Sequence, residues 1–472
     1  MANCRQYIAT QGLTVPVQTA FDYHDRRGAL NRLVPPWESV TVEKSDGSLE
    51  VGSRVILRTS ILGVPVRWVA EHTEYQPPTL FSDQQVSGPF ASWQHRHSFE
   101  TVNQNHASFL SQLSDAISYR LPFGFLGDTF GAGKARKTIE AMFAYRHRIT
   151  HDDLKLYSSY EPTPLRIAIS GSNGLVGGAL SSMLGLFGHQ IHPIVRCEKR
   201  LPSEHSPWLD PPDEQTLENM DAVVHLAGKS IASGRWNANL KAEIRDSRVS
   251  KTRQLCELLG SRKNPPKVLI CASATGIYGE RGDEILDESS AMGELSQTGC
   301  GFLADVGNQW EEACQPAIDA GIRVVHARFG IILSPKGGAL QKMLTPAKLL
   351  GGSLGSGKQW WSWISLDDAI GAIYHCIQDE TLHGPVNLVS PHPTQNRQFA
   401  RQLGKALGRP AIFPAPAAGL RIGLGEMADA LLLSSARVVP SKLLESNYSF
   451  RFTDLSDLFR YSLGLYRKPS EI

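Results

Sequence analysis

Three glycines spaced three apart, Gly171, Gly174 and Gly177, close an apolar run and open a helical one. Ile167-Ala-Ile-Ser170 precedes them, and Ala179, Leu180, Met183 and Leu184 follow at helical spacing. One glycine permits a tight turn, one lets the backbone approach a pyrophosphate, and one lets the helix pack closely on the strand. Free amides and the dipole at the helix start favour negative phosphates. Gly171, Ser172, Asn173, Gly174, Leu175, Val176 and Gly177 therefore form a candidate dinucleotide cradle. A ligand-free strand–helix turn is the plainer reading, but strand before and helix after are the context the motif needs.

About 20 residues beyond such glycines, an acidic residue would bind the ribose 2′-hydroxyl of NAD. No Asp or Glu ends the second strand here. Val195-Arg196 stands there, with Lys199 and Arg200 close by. A cationic fork suits a 2′-phosphate, which favours NADP. Glu198 is the opposing feature, and solvated loop charges are the alternative.

Two further constellations stand out. Arg235-Trp236 follows a strand end, where an Arg beside an aromatic suits an anionic or planar substrate group. A loop anchored by a buried Trp fits equally well. His95 and His97 share one strand face, because side chains repeat every second residue. Two such histidines can ligate a metal, but the sequence offers no convincing third ligand, so no metal site is assigned. Gln359-Trp-Trp-Ser-Trp363 reads as packing against the C-terminal part more than as a pocket wall, and Asp367 as the cap of a helix from Ala369.

These residues need two kinds of scaffold. Residues 53–61, 66–75, 93–102 and 109–119 have strand-like patterning, and residues 131–146 are helical with Ala135, Ile139, Met142 and Phe143 on one face. A curved antiparallel sheet gripping a helix satisfies that pattern. Residues 152–164 are polar with two prolines, as in a linker. From residue 165 strands alternate with helices, at 166–170, 190–195, 222–226, 268–272, 323–328 and 386–388. Helices are expected at 248–259 and 303–320, and another at 420–433. Such alternation predicts a parallel sheet with right-handed crossovers.

The 472 residues carry a formal net charge of +2, with 41% hydrophobic and 20% charged side chains. That balance leaves no footprint for nucleic acid or an anionic membrane, and no apolar run is long enough to span a bilayer. Seven cysteines lie scattered without a C-x-x-C pair, which fits reduced thiols. The N-terminus lacks a signal-peptide pattern, so a cytoplasmic location is expected.

The second part resembles the short-chain dehydrogenase/reductase superfamily in its extended, epimerase-like form, and within it the atypical epimerase family proteins. The matching residues are Ser170-Gly-Ser-Asn-Gly-Leu-Val-Gly177, His225-Leu-Ala-Gly228, Gly234-Arg-Trp236, Ala272-Ser-Ala-Thr-Gly-Ile-Tyr-Gly279, Ala327-Arg-Phe-Gly330 and Ser362-Trp-Ile364. Leu424-Gly-Glu426 and Arg437-Val-Val-Pro440 resemble the C-terminal piece of that subgroup. The first part resembles the helix-grip (START-like, SRPBCC) ligand-binding superfamily, on Arg32-Leu-Val-Pro-Pro-Trp-Glu38, Gly88-Pro-Phe90, Trp93-Gln-His95, His97 and Asp115. The resemblance implies an α/β Rossmann-type doubly wound sheet at 165–409, after an α+β helix-grip domain at 1–151 and a linker at 152–164. A small extension at 410–472 packs on the Rossmann domain. It also implies that Leu226, Ala227 and Gly228 wall the adenine and ribose.

Ordinary members of that superfamily use a Tyr-x-x-x-Lys pair, which shares one helix face and moves the proton during hydride transfer. Phe302 and Val306 stand at those positions, and no tyrosine in the chain has a lysine four residues on. Tyr278, on the loop after its strand, is the substitute proton donor, with Ser273 and Thr275 as secondary candidates; packing and local capping are the alternatives. The reading is an NADP-dependent oxidoreductase acting on a small, apolar molecule. Its rivals are a non-catalytic NADP(H)-binding redox sensor and a carrier of a small hydrophobic ligand in the N-terminal domain.

Overall fold

The computed structural model describes residues 4–61, 63–102, 109–194, 217–295 and 299–465. They fall into two compact units. One is Met1–Thr163 with Gly185–Gly188 and the chain from Arg460 onward; the other is Pro164–Leu184 with His189–Phe459. No helix among the described residues is long and apolar enough to cross a membrane.

Among the described residues, the first unit holds a seven-stranded antiparallel sheet and three helices. Its strands are β1 (Arg5–Leu13), β2 (Thr41–Ser45), β3 (Arg54–Ile61), β4 (Val64–Gln76), β5 (Leu80–Ser87), β6 (Ser92–Thr101) and β7 (Ser111–Arg120), in the spatial order β1-β7-β6-β5-β4-β3-β2. Helices α1 (Val17–Asp25) and α2 (Ala29–Leu33) join β1 to β2, and α3 (Gly124–Ser158) follows β7. Period-two burial points Trp93, Ile117 and Tyr119 at Ile139 and Phe143 of α3. This is the expected curved sheet with its helix, though α3 is much longer than residues 131–146. It absorbs 152–158, which had read as linker. Not all of its polar residues are solvated: Asp153 is fully buried and takes Nε and Nη2 of Arg32 at 2.8 Å each, with the Tyr23 hydroxyl also at 2.8 Å.

The second unit holds a six-stranded parallel sheet. Strands β8 (Arg166–Ser170), β9 (Gln190–Ile194), β10 (Ala222–His225) and β11 (Val268–Ala274) are joined by Arg323–Phe329 and Gly384–Leu388. Between them run α4 (Leu175–Leu186), α5 (Ala238–Asp246), α6 (Val249–Gly260) and α7 (Gly299–Glu312). From one edge the order is β9-β8-β10-β11, then Arg323–Phe329 and Gly384–Leu388. Ile167, Ala168, Ile169, Val223, Val224, Leu269, Ile270 and Val325 are fully buried, as a sheet covered on both faces requires. The winding reverses between β8 and β10, and at such a switch point a crevice opens beyond the strands' carboxyl ends.

Three features of the later part of the chain depart from expectation. Residues 420–433 are not one helix: Ala417–Leu424 stops at Gly425 (φ 63°), and a short helix and a π turn follow. The expected extension at 410–472 divides at Phe459, with Arg460 onward in the first unit, where the Tyr461 ring lies 5.0 Å from that of Tyr145. The cap of helix Leu366–Gln378 is Ser365, not Asp367; its hydroxyl accepts the Asp368 amide at 2.8 Å. Asp368 is fully buried and accepts the Ser365 hydroxyl at 2.7 Å and the amides of Arg451 and Phe452 at 2.6 and 3.1 Å. Asp368→Ala strands these donors and should cost about 3 kcal/mol. Thermal unfolding checks this, and a loss below about 1 kcal/mol contradicts it.

Candidate functional site

The turn after β8 is tight. Gly171 sits at φ +73°, and the Gly174 amide donates to the Gly171 carbonyl at 2.9 Å. A Cβ on Gly177 would lie 2.3 Å from the Gly171 oxygen and 2.8 Å from its carbon, so only glycine lets α4 come this close. A Cβ on Gly171 would meet the Leu226–Ala227 backbone at 3.0 Å. Asn173 and Gly174 are exposed at the open side, with Leu175 and Val176 half-buried. Ser172 is buried, and its hydroxyl has no hydrogen-bond partner among the described residues. An orphaned hydroxyl beside free amides at a helix start fits a phosphate group.

Beneath the turn lies a neutral relay. Ser170 Oγ accepts the amides of Leu226 and Ala227 at 3.1 and 3.3 Å, so its own proton goes to His225 Nδ1 at 2.7 Å. His225 Nε2 then faces Thr252 Oγ1 at 3.1 Å, which also accepts from Trp310 Nε1 at 3.0 Å. Burial pushes His225 down to about 4, so the imidazole is uncharged at neutral pH. This network fixes residues 226–228 against the glycine turn. Gly228 is exposed and backed by Arg248, whose guanidinium carbon a Cβ there would meet at 3.4 Å. Arg196 lies outside the described residues.

Just past β11 lies Tyr278, the expected proton donor. Tyr278 is fully buried. Its hydroxyl faces the Asp287 carbonyl at 2.9 Å and Asn387 Oδ1 at 2.8 Å, and accepts from Arg328 Nη1 at 2.9 Å. Burial raises the phenol's pKa although Arg328 pulls it down. One proton facing two protein acceptors, and one lone pair taken by Arg328, tie the group to the protein interior, as in a buried structural hydroxyl. Ser273 is buried too, donating to Glu311 Oε1 at 2.7 Å. Thr275 alone of the three is half-exposed, with a long 3.3 Å bond to the Phe329 carbonyl.

Glu311 and Arg328 escaped the sequence reading. Arg328 Nε and Nη2 clasp Glu311 at 2.8 Å each. Burial opposes the guanidinium's charge, yet the Glu311 and Tyr278 contacts hold its pKa above the usual value. The signal for Arg328 was its place in the Ala327-Arg-Phe-Gly330 segment, and that for Glu311 was an acid beside Trp310 on a helix whose Phe302, Val306 and Trp310 form an apolar stripe.

Phe302 and Val306 are buried on α7 in a cluster with Trp236, Ile244, Met427 and Ala430. The space of a proton relay is therefore packed hydrocarbon, covered by the C-terminal segment. Trp236 is the anchor in its loop, donating Nε1 to the Ile231 carbonyl at 2.8 Å. Arg235 beside it is exposed, against Gly425. The tryptophans of 359–363 are packing groups: Trp361 meets Phe399 at 5.2 Å, and Arg437 lies 4.3 Å over Trp360.

The NAD dependent epimerase/dehydratase family matches residues 167–388. The family described as polyketide cyclase / dehydrase and lipid transport matches 13–144, and a domain of unknown function matches 415–461. An epimerase family protein of Mycobacterium bovis is 38% identical over 302 residues, 63% of this chain and 97% of that protein. Epimerase family protein YfhF of Bacillus subtilis is 35% identical over 297 residues, 62% and 95% of the two chains. Among solved structures, a nucleoside-diphosphate sugar epimerase from Corynebacterium glutamicum is similar over 98% of this chain and 91% of its own, with TM-score 0.78 and 32% identity. The human epimerase family protein SDR39U1 with NADPH is similar over 63% of this chain and 99% of its own, with TM-score 0.58 and 30% identity.

Proposed function

Because the chain belongs to the epimerase family, an NAD(P)-binding branch of the short-chain dehydrogenase/reductase class, we propose that it is a cytoplasmic NADP(H)-dependent oxidoreductase acting on a small molecule without the usual tyrosine–lysine pair. One observation carries the binding half: the glycine turn at the switch point, with its open face at Asn173–Gly174 and the orphaned Ser172 hydroxyl. The NADPH in the human relative's structure, and Arg196, Lys199 and Arg200 in the sequence, support the phosphorylated cofactor. When bound, the nicotinamide supplies or accepts a hydride. The chain's residues then hold the pyrophosphate at 171–177, brace the ribose side with 226–228, and present Thr275 and Arg235 to the substrate. With the phenol of Tyr278 committed elsewhere, the reading favours an acceptor such as an activated C=C or imine, which needs a weaker proton donor than a carbonyl does. In the N-terminal unit, the match to a lipid-transport description supports an apolar ligand.

Titration with NADPH and NADH, read as energy transfer from tryptophan to nicotinamide, tests this. Charge-assisted contacts to a 2′-phosphate predict roughly 10- to 100-fold tighter binding of NADPH. Equal affinities remove Arg196 from the site, and binding of neither removes the reading. A second reading has its own observation. Phe302 and Val306 sealed beneath Met427 and Ala430 favour a non-catalytic NADP(H) sensor. NADPH binding with no hydride loss across carbonyl, enone and imine panels would select it.

A further inference from the structure

The first unit buries a set of imidazoles and carboxylates that apolar ligand binding does not require. Strands β5 and β6 place Asp83 opposite His95 and Phe81 opposite His97, and β7 places Asp115 opposite His97. His95, His97, Asp115 and His147 of α3 are all buried. Asp115 is the hub: its Oδ1 lies 3.0 Å from His95 Nε2 and 2.7 Å from His97 Nδ1, and its Oδ2 lies 2.6 Å from His147 Nε2. The His97 contact is short but bent away from a straight hydrogen bond. Aromatic neighbours hold the rings, with Phe81 stacked on His97 at 4.1 Å and Phe143 edge-on to His95 at 5.2 Å.

A carboxylate that takes one nitrogen of an imidazole leaves the other as a directed lone pair. For His95 that atom is Nδ1, and it faces Asp83 Oδ2 at 3.5 Å, long for a hydrogen bond. One ligand atom each from Asp83, His95 and His97 lie within 4.8 Å of one another. A tetrahedral ion with bonds near 2.1 Å brings its ligand atoms to about 3.4 Å, a closure of roughly an ångström or less per side chain. His72, opposite Asp83 in register on β4, is buried, and its Nδ1 has no hydrogen-bond partner among the described residues. The third ligand that the sequence did not reveal is thus supplied across the strand pair.

We propose that this unit binds a divalent transition-metal ion of the Zn²⁺ class on Asp83, His95 and His97, with Asp115 orienting the two imidazoles. Two histidines and one carboxylate suit such an ion and leave coordination positions open, as in sites that hold water or a ligand.

The test uses the full chain, purified without a polyhistidine tag and stripped with a chelator. Cobalt(II) is titrated and read by its ligand-field absorption, with zinc as competitor. One ion per chain is expected. Asp115→Asn should weaken binding roughly 10- to 100-fold, and Asp83→Asn at least as much. His392→Ala, an exposed control, should leave it unchanged. No stoichiometric uptake by the wild type, or uptake undiminished in Asp83→Asn, overturns the proposal. If Asp83→Asn fails to fold, X-ray absorption of the zinc-loaded wild type decides. Two imidazoles and a carboxylate oxygen support the site, and a shell without imidazole overturns it.

Discussion

Gly177→Ala should lose at least about 100-fold in NADPH affinity, roughly 2.7 kcal/mol. The added methyl would sit 2.3 Å from the Gly171 oxygen, so α4 must back away from the turn. The amides at the helix start then no longer converge on one phosphate, and close approach is what makes them useful. Gly174→Asp separates this from simple misfolding. Gly174 is on the open side, and its nearest contact for a Cβ is the Gly171 oxygen at 3.1 Å. The chain can fold around an aspartate there, but a carboxylate stands where the pyrophosphate approaches. Energy-transfer titration of both variants, with thermal melts alongside, gives the answer. Wild-type affinity in a folded Gly174→Asp protein would remove this turn from the binding site.

Glu311→Gln should strongly destabilise the second unit. Arg328 has side-chain exposure of 6% and Glu311 of 13%, and the pair is joined at two points. Removing the carboxylate leaves a buried guanidinium without its counter-charge, which costs about 3 to 5 kcal/mol. Glutamine keeps only one acceptor oxygen, for which the Ser273 hydroxyl and Arg328 must then compete. The double variant Glu311→Gln/Arg328→Met should unfold at a higher temperature than Glu311→Gln alone, because no charge is then stranded. Tyr278→Phe should cost only about 1 to 2 kcal/mol. If Tyr278→Phe instead abolished hydride transfer at unchanged stability, the phenol would return to the chemistry.

What the residues disclosed beforehand were features written locally. The glycine spacing, the buried strands of the parallel sheet and the alternation on β6 each lie within a short window, and the structure has them within a few residues. What stayed hidden depends on partners far along the chain. Asp153 looks like a linker charge until Arg32, 121 residues earlier, is beside it. Asp83 sits on β5, whose sequence Leu-Phe-Ser-Asp-Gln-Gln-Val-Ser lacks clean alternation, so neither the strand nor its carboxylate was legible. The surroundings of Tyr278 were hidden for a related reason. Its position at a strand's carboxyl end is visible in sequence, but the Arg328 and Asn387 groups that occupy its hydroxyl arrive from the next two strands.

The apolar cluster around Phe302 has a consequence for how this lineage can change. Restoring the ordinary pair would take only Phe302→Tyr and Val306→Lys, two steps in sequence. Each step would deliver a phenol or an ammonium into space closed by Trp236, Met427 and Ala430, where an unpaired polar group is heavily disfavoured. The C-terminal segment would first have to withdraw, and its own apolar residues would then face water. Either substitution alone should therefore lower stability. Packing of this kind makes the tyrosine–lysine pair costly to install at these two positions, and leaves chemistry, or any other use of a bound nucleotide, to other residues of the chain.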